Sequence, residues 1–251
     1  MKKIILLLII PFAALLTTSC DTTDDPVTST EPGNIFITSN PADAEIWLGG
    51  NDTFQFTPDT IKNLVEGVYN VTLKLADYYD ASFSVNVIAG QTSIHPNVVL
   101  VSDIVTTLFG PKKIYETEGT TAQQPSGLDL SSGNAWGVDS DSSSVVDIYY
   151  FKVADTLFFV RSADLFTGLI RRTDFFVGNS DNIFDDEDSP EKDSTWTNNI
   201  NSTESNYVFL YDHDGHYSKF KIVNSGGGVA GEPFWVEVLW YYNNDILDKR
   251  F

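Results

Sequence analysis

The chain has 251 residues, 42% of them hydrophobic and 13% aromatic, which is enough apolar material for one large or two small globular domains. A formal charge of −20 repels phosphate backbones and anionic lipid headgroups, and therefore argues against a nucleic-acid partner and against electrostatic attachment to a membrane. The single cysteine cannot form a disulfide within the chain, so packing must supply the stability.

Residues 1–20 are a predicted signal peptide. Lys2 and Lys3 precede the apolar run from Ile4 to Leu16, which is shorter than the roughly 20 residues a transmembrane helix needs. The run ends in Leu16-Thr17-Thr18-Ser19-Cys20, which resembles a bacterial lipobox, although its leucine lies one place further from the cysteine than usual. The resemblance implies cleavage before Cys20 and a lipid anchor on Cys20 that holds the protein to a membrane. The alternative is an ordinary secretory signal with an incidental cysteine.

Residues 21–32 form a predicted tether, because they are acidic, rich in serine and threonine, and without an apolar period. Early acids at Asp21, Asp24 and Asp25 resemble signals that carry some lipoproteins to the outer face of the outer membrane. The alternative is a solvated acidic linker. The predicted location is thus the cell envelope, as an outer-membrane lipoprotein on its periplasmic or surface-exposed face.

Residues 33–100 read as strands separated by turns. Apolar residues alternate in the runs around Ile35, Ile46, Val71 and Val85, and such a period of two predicts strands with one buried face. Turn residues fall between the runs, at Asn40-Pro41, Gly49-Gly50-Asn51-Asp52, Glu66-Gly67 and Ala89-Gly90.

The order and spacing of these elements resemble the PEGA domain. The resemblance is carried by Gly33, Ser39-Asn40-Pro41-Ala42-Asp43-Ala44, Ile46-Trp47-Leu48-Gly49-Gly50, Thr57-Pro58, Leu64, Gly67-Val68-Tyr69-Asn70-Val71, Tyr78 or Tyr79, and Ala89-Gly90-Gln91. It departs at Asp43, where the family motif has glycine, and at Glu66, where proline commonly precedes the glycine. The resemblance implies a small β-sandwich that serves as a spacer or adhesion module and brings no catalytic residues.

Residues 101–251 are predicted to form a larger antiparallel β domain with a core at about 112–251, so the whole chain is assigned to the all-β class. Hairpins are predicted at 145–160 and at 207–223, the second around the turn Asp212-His213-Asp214-Gly215-His216. A short helix at 163–172 is disfavoured by Gly168. Residues 179–201 are predicted to form a long polar loop. Residues 234–242 are predicted to form a last strand that is apolar on both faces.

The turn histidines His213 and His216 are the candidate iron or metal ligands of the chain. The stretch from Tyr211 to Phe220 resembles the strand-turn-strand near the end of HmuY-like haem-binding lipoproteins, and this resemblance implies haem capture. Histidines beside a tight turn are more commonly only solvated, and we expect that here.

Acidic clusters offer a second candidate site. Residues 185–188 (DDED), with Glu191 and Asp193, carry carboxylates that suit a hard cation, although a charged loop is usually only solvated. The Asp212-x-Asp214-Gly215 sequence does not make an EF-hand, because Leu210 and Lys221 occupy positions that require acids. We therefore predict no metal site.

Enzyme motifs are not apparent in the sequence, which has neither a Gly-x-Ser-x-Gly nor a His-Glu-x-x-His pattern. Paired acids of a glycosidase would leave no local spacing, and three tryptophans are candidates for stacking on sugars or for the core: Trp136, Trp196 and Trp235. The predicted function is a lipid-anchored envelope protein whose PEGA-like module presents a noncatalytic binding domain without a cofactor. Its ligand would be a polysaccharide, a protein or haem. The alternatives are haem or metal capture by the C-terminal domain and a carbohydrate-active enzyme.

Overall fold

The computed structural model describes residues 31–119, 121, 123–229 and 231–251. The predicted signal peptide, the lipidation site Cys20 and most of the tether lie outside these residues. The described chain is almost entirely β structure, which confirms the all-β prediction. Its contacts divide it into two compact units, one formed by the chain up to Leu73 with Ala81–Val99, the other by Lys74–Asp80 with Leu100–Phe251.

The first unit is built from nine short strands. These are β1 Gly33–Ile37, β2 Ser39–Asn40, β3 Glu45–Leu48, β4 Asn51–Phe56, β5 Asp59–Leu64, β6 Gly67–Lys74, β7 Ala81–Val87, β8 Thr92–Ile94 and β9 Val98–Val99. They form sheets in the orders β5-β1-β8 and β4-β3-β6-β7, with a small β2-β9 pair. The pairs β1-β5, β3-β4 and β6-β7 are antiparallel, whereas β1-β8 and β2-β9 are parallel.

The core of the first unit comes from the alternating residues that the sequence singled out. In β1 the buried residues are Gly33, Ile35 and Ile37, while Asn34 and Phe36 between them are partly exposed. The opposing sheet contributes further fully or nearly fully buried side chains: Ile46, Val71, Leu73, Val85 and Val87. One apolar face from each sheet therefore closes a sandwich.

The second unit contains ten strands and three single-turn 3₁₀ helices. The strands are β10 Thr106–Tyr115, β11 Gly127–Leu128, β12 Ala135–Trp136, β13 Ile148–Ala154, β14 Leu157–Ser162, β15 Asp174–Val177, β16 Asn199–Asn201, β17 Val208–Tyr211, β18 Tyr217–Gly226 and β19 Trp235–Asn243; the helices are Thr117–Gly119, Ser140–Ser142 and Ala163–Leu165. Two five-stranded antiparallel sheets result, in the orders β10-β19-β18-β17-β15 and β12-β11-β13-β14-β16.

Both predicted hairpins of the second unit are present, as β13-β14 and β17-β18. The first strand starts at Thr106, six residues before the predicted core, because its N-terminal half pairs with the end of β19. Only the single turn Ala163–Leu165 is helical in the region 163–172, where Gly168 has a positive φ of 100°.

The main core of the second unit lies between its two sheets. Trp240 of β19 is fully buried there, and its indole Nε1–H donates to the carbonyl of Leu130, 2.9 Å away. Val236, Val238 and Trp240 share the buried face, as predicted from their alternation. The opposite face of β19 is also covered, since Leu239 and Tyr241 pack against a second apolar cluster.

Candidate ligand-binding clefts

A glycine-rich loop between β18 and β19, described at residues 226–229 and 231–233, contributes residues to the lining of two clefts. Gly227 and Gly228 have φ values of 88° and 73°, a left-handed conformation that glycine adopts at little cost. A Cβ on Gly228 would lie 2.1 Å from the Phe234 ring, and one on Gly227 would lie 2.1 Å from the Pro233 carbonyl oxygen. Only glycines therefore let this loop fold back onto Phe234.

The larger cleft beside this loop has a volume of about 620 Å³ and an aromatic floor. Phe158 lies between Tyr150 and Phe234, at ring-centroid distances of 5.7 and 4.5 Å. The rim is polar and carries one acid: Ser202, Thr203, Glu204, Ser205, Asn224 and Ser225. An apolar floor with convergent hydroxyl and amide groups is the usual composition of a ligand-binding cleft.

A second cleft of about 480 Å³ lies on the other side of Phe234, and we call it the acidic cleft. Its ionisable lining groups are Glu116, Glu118, Lys152 and Glu232. Glu116 follows β10 and is anchored by its backbone, because its N–H donates to the Phe234 carbonyl at 2.8 Å and its carbonyl accepts from Ser126 Oγ at 3.0 Å.

At the opposite end of β18, the predicted turn is held by Asp212. Its buried carboxylate accepts the N–H groups of Asp214 and His216, both at 2.9 Å, and the Tyr242 hydroxyl at 3.3 Å. His213 is exposed, as expected. His216 differs from the expectation: it is half-buried, stacks on Tyr242 at 5.1 Å and lies with Nδ1 3.0 Å from the Asn243 carbonyl oxygen. His216 is half-buried because Tyr242 and Asn243 of β19 pack beside the turn.

A buried ion pair lies next to this turn. Arg171 Nε donates to Asp147 Oδ1 at 2.7 Å, and its Nη2 donates to Asp214 Oδ2 at 2.6 Å. Asp147 also accepts the Leu130 N–H at 2.9 Å. Burial raises the pKa of Asp147 to about 7, although the Arg171 charge acts in the opposite direction. Each oxygen of Asp147 has a partner, so this cluster fixes the end of the sandwich.

The polar loop predicted at 179–201 ends at residue 198, because Asn199–Asn201 form β16 and pair with β14. This segment, which we call the acidic loop, folds over the outer face of the β10-β19-β18-β17-β15 sheet. Lys219 is fully buried and donates through Nζ to the carbonyls of Asp185 at 2.7 Å and Glu187 at 3.2 Å, and it also contacts the Asp185 carboxylate. Asp185 is thus an ion-pair partner, and the described residues contain no group of three or more acids, histidines or cysteines placed to hold a metal ion.

The three tryptophans have different environments. Trp196 is buried under the acidic loop, against Tyr217. Trp235 is half-buried, and the Lys113 ammonium lies 3.8 Å from its ring centroid. Trp136, in the edge strand β12, keeps 42% of its surface exposed. None of the three lines the two clefts beside the glycine-rich loop.

Comparison with known families identifies the first unit. Residues 32–100 match the PEGA domain. The match confirms the resemblance found in the sequence and covers the strands of the first sandwich. No curated protein matches the chain. In the part of the chain that the structure describes, no helix is long and apolar enough to cross a membrane.

The PEGA assignment explains the conformation of Asp43. This residue replaces the glycine of the family motif and has a φ of 65°, in the left-handed region that glycine favours. Its N–H donates to the Thr57 carbonyl at 2.7 Å, and the next N–H, of Ala44, donates to Thr57 Oγ1 at 3.1 Å. The turn therefore holds a non-glycine residue in a conformation that glycine adopts at less cost.

Sequence reasoning did not find the residues of the two clefts. Glu116, Lys152 and Phe234 come from three strands or strand ends, so no local spacing joins them. The one available signal in the sequence is the Gly226-Gly227-Gly228 run. Gly227 and Gly228 have positive φ values and approach Pro233 and Phe234 closely, so the run follows a defined path.

Proposed function

We propose that this protein is a lipid-anchored protein of the cell envelope in which the PEGA domain is a spacer that presents a noncatalytic binding domain. The observation that carries the proposal is the order along the chain. The PEGA match at residues 32–100 lies between the predicted lipid-attachment residue Cys20 and the β domain that holds the two clefts. The acyl chains on Cys20 are the membrane partner, and the acidic protein body stays in water.

The larger cleft supports ligand binding in the C-terminal domain. Its floor of Tyr150, Phe158 and Phe234 offers apolar contact, and its rim offers hydroxyl and amide hydrogen-bonding groups with a single carboxylate. Such a surface suits a polar, uncharged ligand such as a polysaccharide. We place the protein in the outer membrane, on its periplasmic or surface-exposed face.

Replacement of Cys20 by alanine tests the anchor. The variant is expected to move from the membrane fraction to the soluble fraction, because its only acylation site is lost. Thr22→Ala, two residues beyond the cysteine, is the matched control and should stay with membranes. A Cys20→Ala variant that remains membrane-bound, or a mature wild-type protein that carries no lipid by mass spectrometry, would contradict the proposal.

Affinity electrophoresis in gels that contain soluble polysaccharides tests the binding domain. Retardation of the wild-type protein, reduced by Phe234→Ala, is expected without the release of reducing sugar. Val153→Ala, at an exposed position outside both clefts, is the control. Sugar release would show an enzyme, and unretarded migration in every gel would remove polysaccharide from the ligand classes.

A further inference from the structure

The acidic cleft contains a buried carboxylate oxygen whose hydrogen-bonding capacity is unused. Glu116 is only 5% exposed, and its Oε2 has no hydrogen-bond partner among the described residues. A buried acceptor without a partner has lost its hydrogen bonds to water and gained none in return, so native structures rarely keep one without a role. Because Glu116 also lines the cleft, a bound donor is the simplest source of the missing bond.

The charge balance of the cleft identifies the kind of donor. Three carboxylates, of Glu116, Glu118 and Glu232, face one ammonium group, of Lys152. Lys152 is already 3.3 Å from Asp155 Oδ1. The described residues provide no cluster of three metal-binding side chains, so the acids are too dispersed to enclose an ion. An organic cation fits this arrangement, because it brings its own N–H donors and does not need a shell of several ligands around it.

One wall of the acidic cleft is apolar, so the ligand should carry an apolar part beside its charge. Phe234 and Pro233 form this wall, and the Lys152 ammonium already lies 5.7 Å from the Phe234 ring centroid, within cation–π range. An ammonium or guanidinium group on an alkyl stem would place its stem against these rings and its charge at the acids. Such groups occur on lysine and arginine side chains and on free polyamines.

We infer that the acidic cleft binds an alkylammonium or alkylguanidinium group, with Glu116 as its principal acceptor. The inference rests on the proposed binding function and names a ligand class for the cleft next to the one proposed for polysaccharide. Glu116 Oε2 is covered, so entry of the cation requires a side chain to move. Lys152 moves at the least cost, because its partner Asp155 has a 98% exposed side chain and such surface pairs contribute little.

Titration of the purified protein with N-acetyl-lysine methylamide and N-acetyl-arginine methylamide, followed by saturation-transfer NMR, tests the inference. N-acetyl-norleucine methylamide is the uncharged control, and putrescine separates a polyamine source from a side-chain source. We expect at least one cation to bind at least tenfold more tightly than the norleucine probe. Glu116→Gln should weaken that binding at least tenfold, whereas Glu204→Gln, in the larger cleft, should leave it unchanged.

The Lys152→Met variant distinguishes a ligand-binding role of Glu116 from a purely structural one. Removing the competing ammonium should strengthen binding of the cation severalfold, and thermal melts should show that each variant is folded. If Glu116→Gln does not fold, the other two variants test the inference. Lys152→Met should strengthen binding of the cation, and Glu118→Gln should weaken it. Equal binding of the norleucine probe, or no binding of any cation, would overturn the inference while leaving the anchor and the polysaccharide tests unaffected.

Discussion

Asp43 adopts a left-handed backbone conformation that residues other than glycine rarely favour. The left-handed conformation costs an L-residue about 1–2 kcal/mol in free energy. The cost is smaller for aspartate than for most residues, because its short side chain tolerates that conformation. Glycine removes this cost in the folded state but gives the unfolded chain more freedom, which offsets part of the gain. The balance favours glycine when φ is near 65°, as it is here.

Asp43→Gly is therefore expected to stabilise the PEGA domain by about 0.5–1 kcal/mol. Asp43→Ala keeps the strained backbone without the tolerance of aspartate, and should destabilise the domain by a similar amount. Urea denaturation of both variants measures the two changes. Because each variant removes the same charge, equal shifts in one direction would show that charge and not conformation controls this position.

Asp147 illustrates a different compromise, between burial and charge. Its pKa of about 7 in the folded protein lies above the ordinary aspartate value of 3.8, so between these pH values the folded state holds a proton that the unfolded chain has released. The free energy of unfolding must then fall as pH rises through this range. The stabilising contribution is complete below pH 3.8 and is lost as pH passes about 7.

Asp147→Asn should flatten the pH dependence of stability between pH 4.5 and 7.5. The variant loses overall stability, because an amide NH₂ would face either Arg171 Nε or the Leu130 N–H. The wild type should lose up to about 3 kcal/mol more than the variant between pH 4.5 and 7.5, because about 2.3 pH units of the shift fall in this range and each is worth about 1.4 kcal/mol. Asp155→Asn, at an exposed position, is the control for denaturant melts at each pH. Parallel curves for wild type and Asp147→Asn would refute the assignment.

At the scale of elements, the acidic loop owes its position to apolar contacts and one lysine. Ile183 and Trp196 of the loop form one apolar cluster with Tyr207, Phe209 and Tyr217. The Lys219 ammonium lies 4.5 Å from the Tyr207 ring centroid and beneath the loop carbonyls that it bonds. A buried charge in this position is stabilising only while the loop stays closed over it.

Lys219→Met is expected to destabilise the second unit by about 2–4 kcal/mol, because the loop loses its ion pair and two carbonyls lose their donor. Lys221→Met is the matched control. Lys221 donates to the Asp181 and Ser205 carbonyls from a more exposed position, so its replacement should cost less than about 1 kcal/mol. Limited proteolysis should cut residues 179–198 faster in Lys219→Met alone. Equal protection of the loop in both variants would contradict the role given to Lys219.

The elements that the sequence predicted are those with local signals. The strand-forming runs around Val208 and Phe220, with Gly215 in the turn between them, were enough to predict the β17-β18 hairpin. The position of the acidic loop could not be predicted, because a polar composition gives no indication that one lysine on a neighbouring strand is buried beneath it. The clefts escaped prediction for a related reason: Glu116 and Phe234 are 118 positions apart and meet only through the pairing of β10 with β19.

At the scale of the whole molecule, the PEGA domain has the buried residues of an independent folding unit. Ile35 and Ile37 in one sheet and Val71 and Val85 in the other are all less than 10% exposed. A match of 69 residues, from 32 to 100, is small but within the range in which single domains fold alone. The stability of so small a core is limited, so single methyl groups should have measurable effects.

A fragment of residues 31–100 is therefore expected to melt cooperatively, as followed by circular dichroism. Ile35→Val removes one methylene-sized group from a fully buried position and should lower the stability by about 0.5–1.5 kcal/mol, because the neighbours cannot collapse completely into the space. Val68→Ala, at an exposed position, should change it by less than about 0.5 kcal/mol. A broad, non-cooperative melt that neither substitution shifts would mean that the PEGA sandwich needs the remainder of the chain, and a spacer that cannot fold by itself would fit the proposed function poorly.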